Sequence, residues 1–277
     1  MHPGSADTVW ICATCGVEHA DDAGVCPVCA DERQWVPASG QRWTTLAQLE
    51  ADGHRTRLQE REPSLLALTV EPTVGIGHTA FVVTSGAGSV LWDPPGYVDD
   101  AAVERIRCSG QVLAITASHP HMFGAQLEWS RRLDDARVLV CEPSLKWVSR
   151  SGAAVASWSG SRQLAPGLTL HQLGGHFRGS AVLHWAAGAG GRGVLLSSDT
   201  IHGNPDRASV TFLRSYPNRI PRSPAVAERI TRAVEQLEFD RLYDNFSHAI
   251  DSDARAAVRR SADRYVAWAR GDHDDLT

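Results

Sequence analysis

The sequence predicts an α+β fold: β-sheets covered by helices, preceded by a small module held together by cysteines. Three observations carry this expectation. From about residue 65 onward, apolar runs of strand length alternate with segments of helical period. Two Cys-x-x-Cys pairs stand close together near the N-terminus. Three segments bearing histidine or aspartate each follow an apolar run, so the chain presents metal-type side chains at strand ends.

The cysteine pairs are Cys12-Ala13-Thr14-Cys15-Gly16 and Cys26-Pro27-Val28-Cys29, with ten residues between Cys15 and Cys26. Two such knuckles can place four thiolates around one tetrahedral ion. The glycine and the proline suit tight turns whose N–H groups point at sulfur. Cys12, Cys15, Cys26 and Cys29 are therefore expected to hold a structural metal. The pattern is similar to a zinc ribbon or a short rubredoxin-like module, and zinc or iron would suit four thiolates. The module spans residues 1–38, with Trp10 and Trp35 expected to pack over it. Its expected role is to staple a segment too small to fold alone, ahead of electron transfer. Residues 39–63 follow as a short helix ending near Asp52-Gly53 and a charged linker from His54 to Pro63. Residues 64–277 form the main domain.

Strands are expected at 65–70, 79–84 and 89–92, the last closed by the turn Asp93-Pro94-Pro95-Gly96. A helix follows over 99–107, with Asp99 or Asp100 near its N-terminus. Residues 112–116 read as a buried strand, 124–133 as a helix and 138–141 as a strand. In the second half, strands at 168–173 and 181–186 flank a loop containing His176. The glycine-rich stretch 188–193 turns the chain into a strand at 194–196. It lacks the Lys-Ser/Thr of a phosphate-binding loop and precedes a strand, so it is read as a hairpin turn. Ser223-Pro224 starts a helix reaching about Leu237, and 241–243 is a short strand. Ser252 is expected to cap a last helix. In that helix Ala254, Val258, Ala262, Tyr265, Val266 and Ala269 recur at three- and four-residue steps and face the core. Trp129, Trp147, Trp158 and Trp185 read chiefly as core.

The three polar segments are Ser118-His119-Pro120-His121, Gly174-Gly175-His176-Phe177-Arg178-Gly179-Ser180, and Ser197-Ser198-Asp199-Thr200. Their order and context resemble the metallo-β-lactamase fold superfamily, over roughly Leu65 to the C-terminus. Its first motif, His-x-His-x-Asp-His, is matched at His119 and His121. The Gly-His and Gly-Ser of the second match at Gly175-His176 and Gly179-Ser180. The Asp-Thr of the third matches at Asp199-Thr200, with Ser198 for the usual glycine. Leu91-Trp92-Asp93 resembles the family's aspartate-bearing early strand. The resemblance implies an αββα sandwich and a metal-dependent hydrolase.

Two departures matter. Phe123 stands where the family has Asp, and Gly124 where it has the last His of the motif; neither side chain can coordinate. One metal is therefore expected, held by His119, His121 and His176. Asp199 either completes the shell or hydrogen-bonds to water as the catalytic group. Zinc is the expected metal, with iron or manganese as alternatives. A further family ligand, a His near the C-terminal end, is assigned to His248, although Ala249 replaces the glycine that usually follows. His78, Phe123, His202, Tyr216 and Asn218 are the expected pocket residues; the prolines around Tyr216 and Asn218 make that loop stiff.

The expected chemistry is attack of an activated water on an ester, thioester, lactone or amide. Two other classes stand beside it: an iron-dependent oxidoreductase fed by the rubredoxin-like module, and a non-catalytic metal-binding relative. At 277 residues and 43% hydrophobic, the chain can bury a full-sized core. A net charge of −5 without a basic cluster argues against nucleic acid as a partner. No run approaches a membrane span or a secretory signal. Thiolate-held metal with free Cys108 and Cys141 suits a reducing, cytoplasmic setting. The expected partner is a small-molecule substrate; a homodimer is left open.

Overall fold

The computed structural model describes residues 8–22 and 24–277, so the first seven residues of the cysteine module and Ala23 lie outside the described residues. By compactness the chain divides into one unit through Trp158 and a second from Ser159 to Thr277.

The first unit opens with β1 (Trp10–Cys12), β2 (Glu18–His19) and β3 (Trp43–Thr45), an antiparallel sheet in the order β2-β1-β3. Helix α1 (Leu46–Ala51) follows at once, because the Thr45 side chain accepts a hydrogen bond from the Gln48 N–H and so caps its N-terminus. Next come β4 (Arg55–Glu62), β5 (Leu65–Glu71), β6 (Ala80–Ser85), β7 (Gly88–Trp92), β8 (Val112–Thr116), β9 (Val138–Cys141) and β10 (Val155–Trp158). They form one seven-stranded sheet whose spatial order is the reverse of chain order. Strands β4 to β7 pair antiparallel, and β7 to β10 pair parallel.

A parallel pair needs a crossover, and helices supply two of them. Helix α2 (Asp100–Arg107) joins β7 to β8, and α3 (Gln126–Arg132) joins β8 to β9. Asp99 caps α2 by accepting from the Ala102 N–H at 2.8 Å. Because β7 and β8 run the same way, their C-terminal ends meet one edge of the sheet. Asp93 and the His119 segment follow those ends. Ligand sites in parallel sheets form beyond such carboxyl ends.

The second unit contains β11 (Ser161–Ala165), β12 (Leu168–Gln172), β13 (Ala181–Trp185), the single-turn α4 (Gly188–Gly191) and β14 (Val194–Leu196). Then come the short strands β15 (His202–Gly203), β16 (Val210–Thr211), β17 (Leu213–Ser215) and β18 (Ile220–Pro221), and helix α5 (Pro224–Val234). The unit ends with β19 (Arg241–Tyr243), β20 (Ala249–Ile250) and α6 (Ala254–Arg270). Its main sheet has the order β11-β12-β13-β14-β19-β20, antiparallel throughout except for the parallel step β14–β19. Strand direction fixes where the polar segments emerge: β12, β14 and β19 all end at one edge, and β20 begins there. His176, Asp199, Asp244 and His248 lie just beyond those ends. Leu195, Phe212, Ile230, Val234, Leu242 and Val258 are among the side chains that bury the core of this unit under α5 and α6.

Several expectations change. The charged stretch 54–63 is the edge strand β4, not a linker. Arg55, Arg57 and Glu60 pair along β5 with their side chains in solvent, and charge is how an exposed sheet edge avoids further pairing. Asp253, with φ of 54°, rather than Ser252, precedes α6. Ala269 is exposed, because the buried stripe of α6 ends at Val266. Trp35 is 48% exposed, and beside the cysteines His19 packs edge-on to Trp43 at 4.6 Å. Strands β10 and β11 carry no clear sequence signal, their apolar pattern being short and interrupted by serines.

Gly124 explains one departure from the family motif. It has φ of +50°, and a Cβ there would lie 2.0 Å from the Pro94 carbonyl oxygen. The Glu18 N–H donates to the Gly124 carbonyl at 2.9 Å, and the Leu127 N–H donates to the Glu18 carboxylate at 2.5 Å. The cysteine module thus seats on the loop that leads into α3, and the backbone there leaves no room for a side chain. Gly124→Ala should cost about 1–3 kcal/mol from forced overpacking, read as a lowered denaturant midpoint. An unchanged midpoint would mean that the close approach to Pro94 is absent.

Candidate metal centres

The first unit presents two centres. In the cysteine module, the Cys12 and Cys29 sulfurs lie 3.6 Å apart and those of Cys15 and Cys26 3.7 Å apart. A disulfide would require about 2.05 Å. Four thiolates around one ion at about 2.3 Å stand roughly 3.8 Å apart, which these separations match. All four are buried and none is in a disulfide. The Gln41 side-chain N–H donates to Cys12 Sγ at 3.2 Å, and His19 Nε2 lies 3.4 Å from Cys26 Sγ. Hydrogen bonding with the Cys15 thiol lowers the Cys12 pKa to about 6. Burial pushes Cys15 well above the usual thiol range. Thiolate donors in a tetrahedron fit zinc or iron.

The second centre of this unit is the pair His119 and His121, both buried, with ring centroids 5.1 Å apart and nearly perpendicular. His119 ends an extended stretch, and Pro120 starts a short 3-10 turn that swings His121 back beside it. Asp93 fixes this loop from the end of β7: its carboxylate accepts from the Ser118 N–H at 2.6 Å, and its own N–H donates to the Thr116 carbonyl at 2.9 Å. Ser118 Oγ lies 2.9 Å from His119 Nδ1. Such a contact on one ring nitrogen sets the other, Nε2, as the ligand atom. His78 lies behind the loop, with Nε2 3.0 Å from the Asp93 carbonyl oxygen. Phe123 is buried just beyond.

In the second unit, His176 Nε2 lies 3.7 Å from Asp199 Oδ2. Both are buried, His176 at 1% and Asp199 at 4% exposure. The glycines of the His176 loop have a steric reason. Gly175 has φ of +93°, and a Cβ there would lie 2.6 Å from Ile230 Cδ1 and 3.1 Å from Arg222 Nη1. The Ser180 hydroxyl closes the loop by accepting from the Phe177 N–H at 2.7 Å. Asp199 sits in the turn Ser198–Thr200, with Ser198 at φ of 47°.

Arg222 is the residue the sequence did not announce. It is buried, and its two terminal nitrogens donate to the backbone carbonyls of Thr200 at 2.5 Å and Asp199 at 2.6 Å. The Tyr216 hydroxyl donates to the Asp199 carbonyl at 3.2 Å. Burial pushes the Tyr216 hydroxyl far above its usual pKa, so it stays a donor. The Asn218 N–H donates to Ser215 Oγ and tightens the loop that carries Tyr216.

A third group is His202, Asp244 and His248. Asp244 Oδ2 lies 3.4 Å from His202 Nδ1 and 3.2 Å from His248 Nδ1. His202 Nδ1 also lies 3.7 Å from Asp199 Oδ1. Burial opposes protonation of His202, but the Asp199 and Asp244 carboxylates outweigh it and raise its pKa. Burial raises Asp244 likewise. His248 therefore stands beside His202 and Asp244 within the second unit. Asp244 was missed because a single aspartate after a three-residue strand has no motif of its own.

Imidazole nitrogens and a carboxylate are the donors of zinc and its borderline neighbours, so the buried His119–His121 pair of the first unit and the buried His176–Asp199 pair of the second each fit that class of ion.

No family model matches the chain. It is 40% identical over 262 residues to the uncharacterized protein YmaE of Bacillus subtilis (strain 168), covering 93% of this chain and 95% of that protein. Among solved structures it is similar to DIM-1 metallo-β-lactamase, with a TM-score of 0.58 and 13% identity over 76% of this chain and 97% of that one. It is also similar to the mono-zinc form of the metallo-β-lactamase FIM-1 from Pseudomonas aeruginosa, with a TM-score of 0.56 and 14% identity over 76% and 96%. A B3 metallo-β-lactamase with an active-site glutamic acid gives a TM-score of 0.52 and 12% identity over 88% and 99%. The fold is thus the mixed α+β metallo-β-lactamase fold, with a four-cysteine cluster near its N-terminus. Among the described residues no helix is long and apolar enough to cross a membrane.

Two outcomes are expected. Cys108 is exposed, whereas Cys141 is buried and burial pushes its thiol up to about 12. With the module's four thiolates holding metal, a thiol reagent at neutral pH should modify one cysteine quickly, and four more only after chelation; fast modification of five without a chelator would contradict the module's metal. Arg222→Met should lower stability by roughly 2–3 kcal/mol, since it leaves two buried carbonyls without their charged donor. Wild-type stability in that variant would remove Arg222 as the clamp on Asp199.

Proposed function

The chain belongs to the family of YmaE, and we propose that this member is a metal-dependent hydrolase in which His119, His121, His176 and Asp199 hold one divalent ion, zinc first. The observation that carries this reading is the buried His176–Asp199 pair, clamped by Arg222 and Tyr216. Structural pinning alone gives no reason to bury a carboxylate beside an imidazole, since removing charge from water is costly unless it is matched. Two further buried imidazoles, His119 and His121, follow the parallel strand β8 in the motif order of the fold. The mono-zinc form of FIM-1 is a precedent within the fold for a single ion.

When bound, the ion supplies Lewis acidity and lowers the pKa of water to about 7. The residues do the rest. His119 is oriented by Ser118, whose backbone Asp93 holds, so its ring nitrogens are set before substrate arrives. Asp199 is the residue placed to accept a hydrogen bond from the attacking water and then its proton. Arg222 and Tyr216 bond to its backbone carbonyl and so fix its position. His202, beside the other Asp199 oxygen, is placed to steady the developing charge. The substrate class is an ester, thioester, lactone or amide, whose carbonyl oxygen can be polarised and whose leaving group departs with a proton.

His119→Ala and His176→Ala should each remove one bound ion and abolish turnover on a panel of esters, thioesters, lactones and amides. The loss should exceed the roughly 10–100-fold that changes to outer-sphere partners cause. Full activity in either variant would end the assignment. Turnover that depends on redox-active iron, and is lost on changing Cys12, would transfer the chain to oxidoreductase chemistry.

A further inference from the structure

We propose that the ion held by the four cysteines controls the histidine pair of the same unit. It fixes Gly16 and Glu18 against the loops that flank His119 and His121, and so raises the affinity of those histidines for their own ion. The inference rests on the reading that His119 and His121 are ligands, and it gives the module a role beyond holding itself together.

Strand direction places the module. Strands β5 and β7 are each antiparallel to β6, and β7, β8 and β9 pair parallel. The carboxyl ends of β5, β7, β8 and β9 therefore share one edge of the sheet, the edge at which His119 and His121 emerge. The module touches the loop after each of these strands. After β5, a Cβ on Gly75 would lie 2.3 Å from the Gly16 nitrogen. After β7, a Cβ on Gly96 would lie 2.3 Å from the Gly16 carbonyl oxygen. After β8, the Glu18 N–H donates to the Gly124 carbonyl at 2.9 Å. After β9, the Ala20 N–H donates to the Ser149 carbonyl at 3.4 Å, and the Arg33 guanidinium stands 5.7 Å from the centre of the Trp147 ring.

Two of these contacts bracket the histidines. Gly96 follows Asp93, whose carboxylate holds the Ser118 N–H, and Gly124 follows His121. The two loops are also joined to each other, since the Ala125 N–H and Trp129 Nε1 both donate to the Pro95 carbonyl at 3.1 Å. Glu18 closes this frame from the side of the module. Its carboxylate, 3% exposed, accepts from the Leu127 N–H at 2.5 Å through Oε1 and from Arg150 at 2.8 Å through Oε2. Both oxygens are thus engaged, so Glu18 is a positioning residue and not a ligand. A buried carboxylate stays with such partners because leaving it unmatched is costly.

The cysteines in turn set Gly16 and Glu18. Gly16 follows Cys15 directly, has φ of +80°, and donates its N–H to the Cys12 carbonyl at 2.8 Å. The strands of the module are two or three residues long, too short to hold that turn by themselves. An ion on Cys12 and Cys15 fixes it, because metal binding in so small a module is folding free energy. Without that ion, Gly16 and Glu18 are released and the loops at 93–97 and 121–129 lose the surface they pack on. Linkage makes the effect reciprocal: an ion at the histidines strengthens binding at the cysteines by the same factor.

Hydrogen exchange during stepwise zinc loading of the full-length protein tests the coupling. The step that fills the cysteines is marked by thiolate-to-metal absorption when cobalt replaces zinc. In that step exchange should slow across residues 121–129 as well as within the module; unchanged exchange at 121–129 overturns the proposal. Affinity gives the second arm, read by competition with a chromogenic chelator. Glu18→Ala should keep the cysteine ion and bind zinc at the histidine site about tenfold more weakly or worse, the scale on which ligand-orienting groups act. Glu18→Gln keeps an oxygen for the Leu127 N–H and should recover most of that loss, with circular dichroism reading the fold of each variant. A merely structural role would lower the denaturant midpoint and leave this affinity unchanged. Unchanged affinity in Glu18→Ala, with both ions bound, overturns the coupling alone. A wild type that binds zinc only at its cysteines overturns the histidine reading and this inference together.

Discussion

A buried carboxylate is the constraint around which the second unit is organised. Asp199 is 4% exposed, carries an imidazole at each oxygen and is pinned by its backbone to Arg222 and Tyr216. Leaving a carboxylate in such a place without compensation would cost several kcal/mol. The surrounding elements answer that cost in turn. The parallel step β14–β19 brings Asp244 beside the Asp199 turn, and glycine at 175 lets Arg222 reach the carbonyls. A metal ion is the compensation we propose for this donor set.

The first unit is governed by a different restriction, the contact of backbone with backbone at Gly124. The cysteine module donates to the Gly124 carbonyl, and its Glu18 carboxylate accepts from the first turn of α3 while pairing with Arg150 at 2.8 Å. Burial raises the Glu18 pKa, but the hydrogen bond from the Leu127 N–H and the pairing with Arg150 oppose that shift. The loop after His121 therefore spends its length on seating the module. That gives a steric reason for the absence of a coordinating side chain at Gly124, and it ties the four-cysteine cluster to the segment carrying His119 and His121.

Much of the fold was legible because buried strands announce themselves. Val138–Cys141 is apolar throughout and Val112–Thr116 is apolar up to its last residue, as buried parallel strands are, and the structure places them at those bounds. The metallo-β-lactamase fold was legible too, from three short motifs in order. What escaped had physical causes. Strand β4 is polar on both faces, so hydrophobic pattern cannot reveal it. The cap of α6 is a left-handed aspartate held by Asp240, a tertiary arrangement rather than a local signal. The partnership of His202 with Asp244 joins residues far apart in sequence, and the parallel pairing of β14 with β19 is what brings their segments together.

The most direct measurement of the central claim is anomalous X-ray diffraction from crystals of the zinc-loaded protein, recorded on both sides of the zinc absorption edge. The account predicts a strong peak within bonding distance of His176 Nε2 and Asp199 Oδ2, coordinated also by His119 and His121, in addition to the peak among Cys12, Cys15, Cys26 and Cys29. A peak among the cysteines alone, with His176 and Asp199 in ordinary hydrogen bonds, would contradict it.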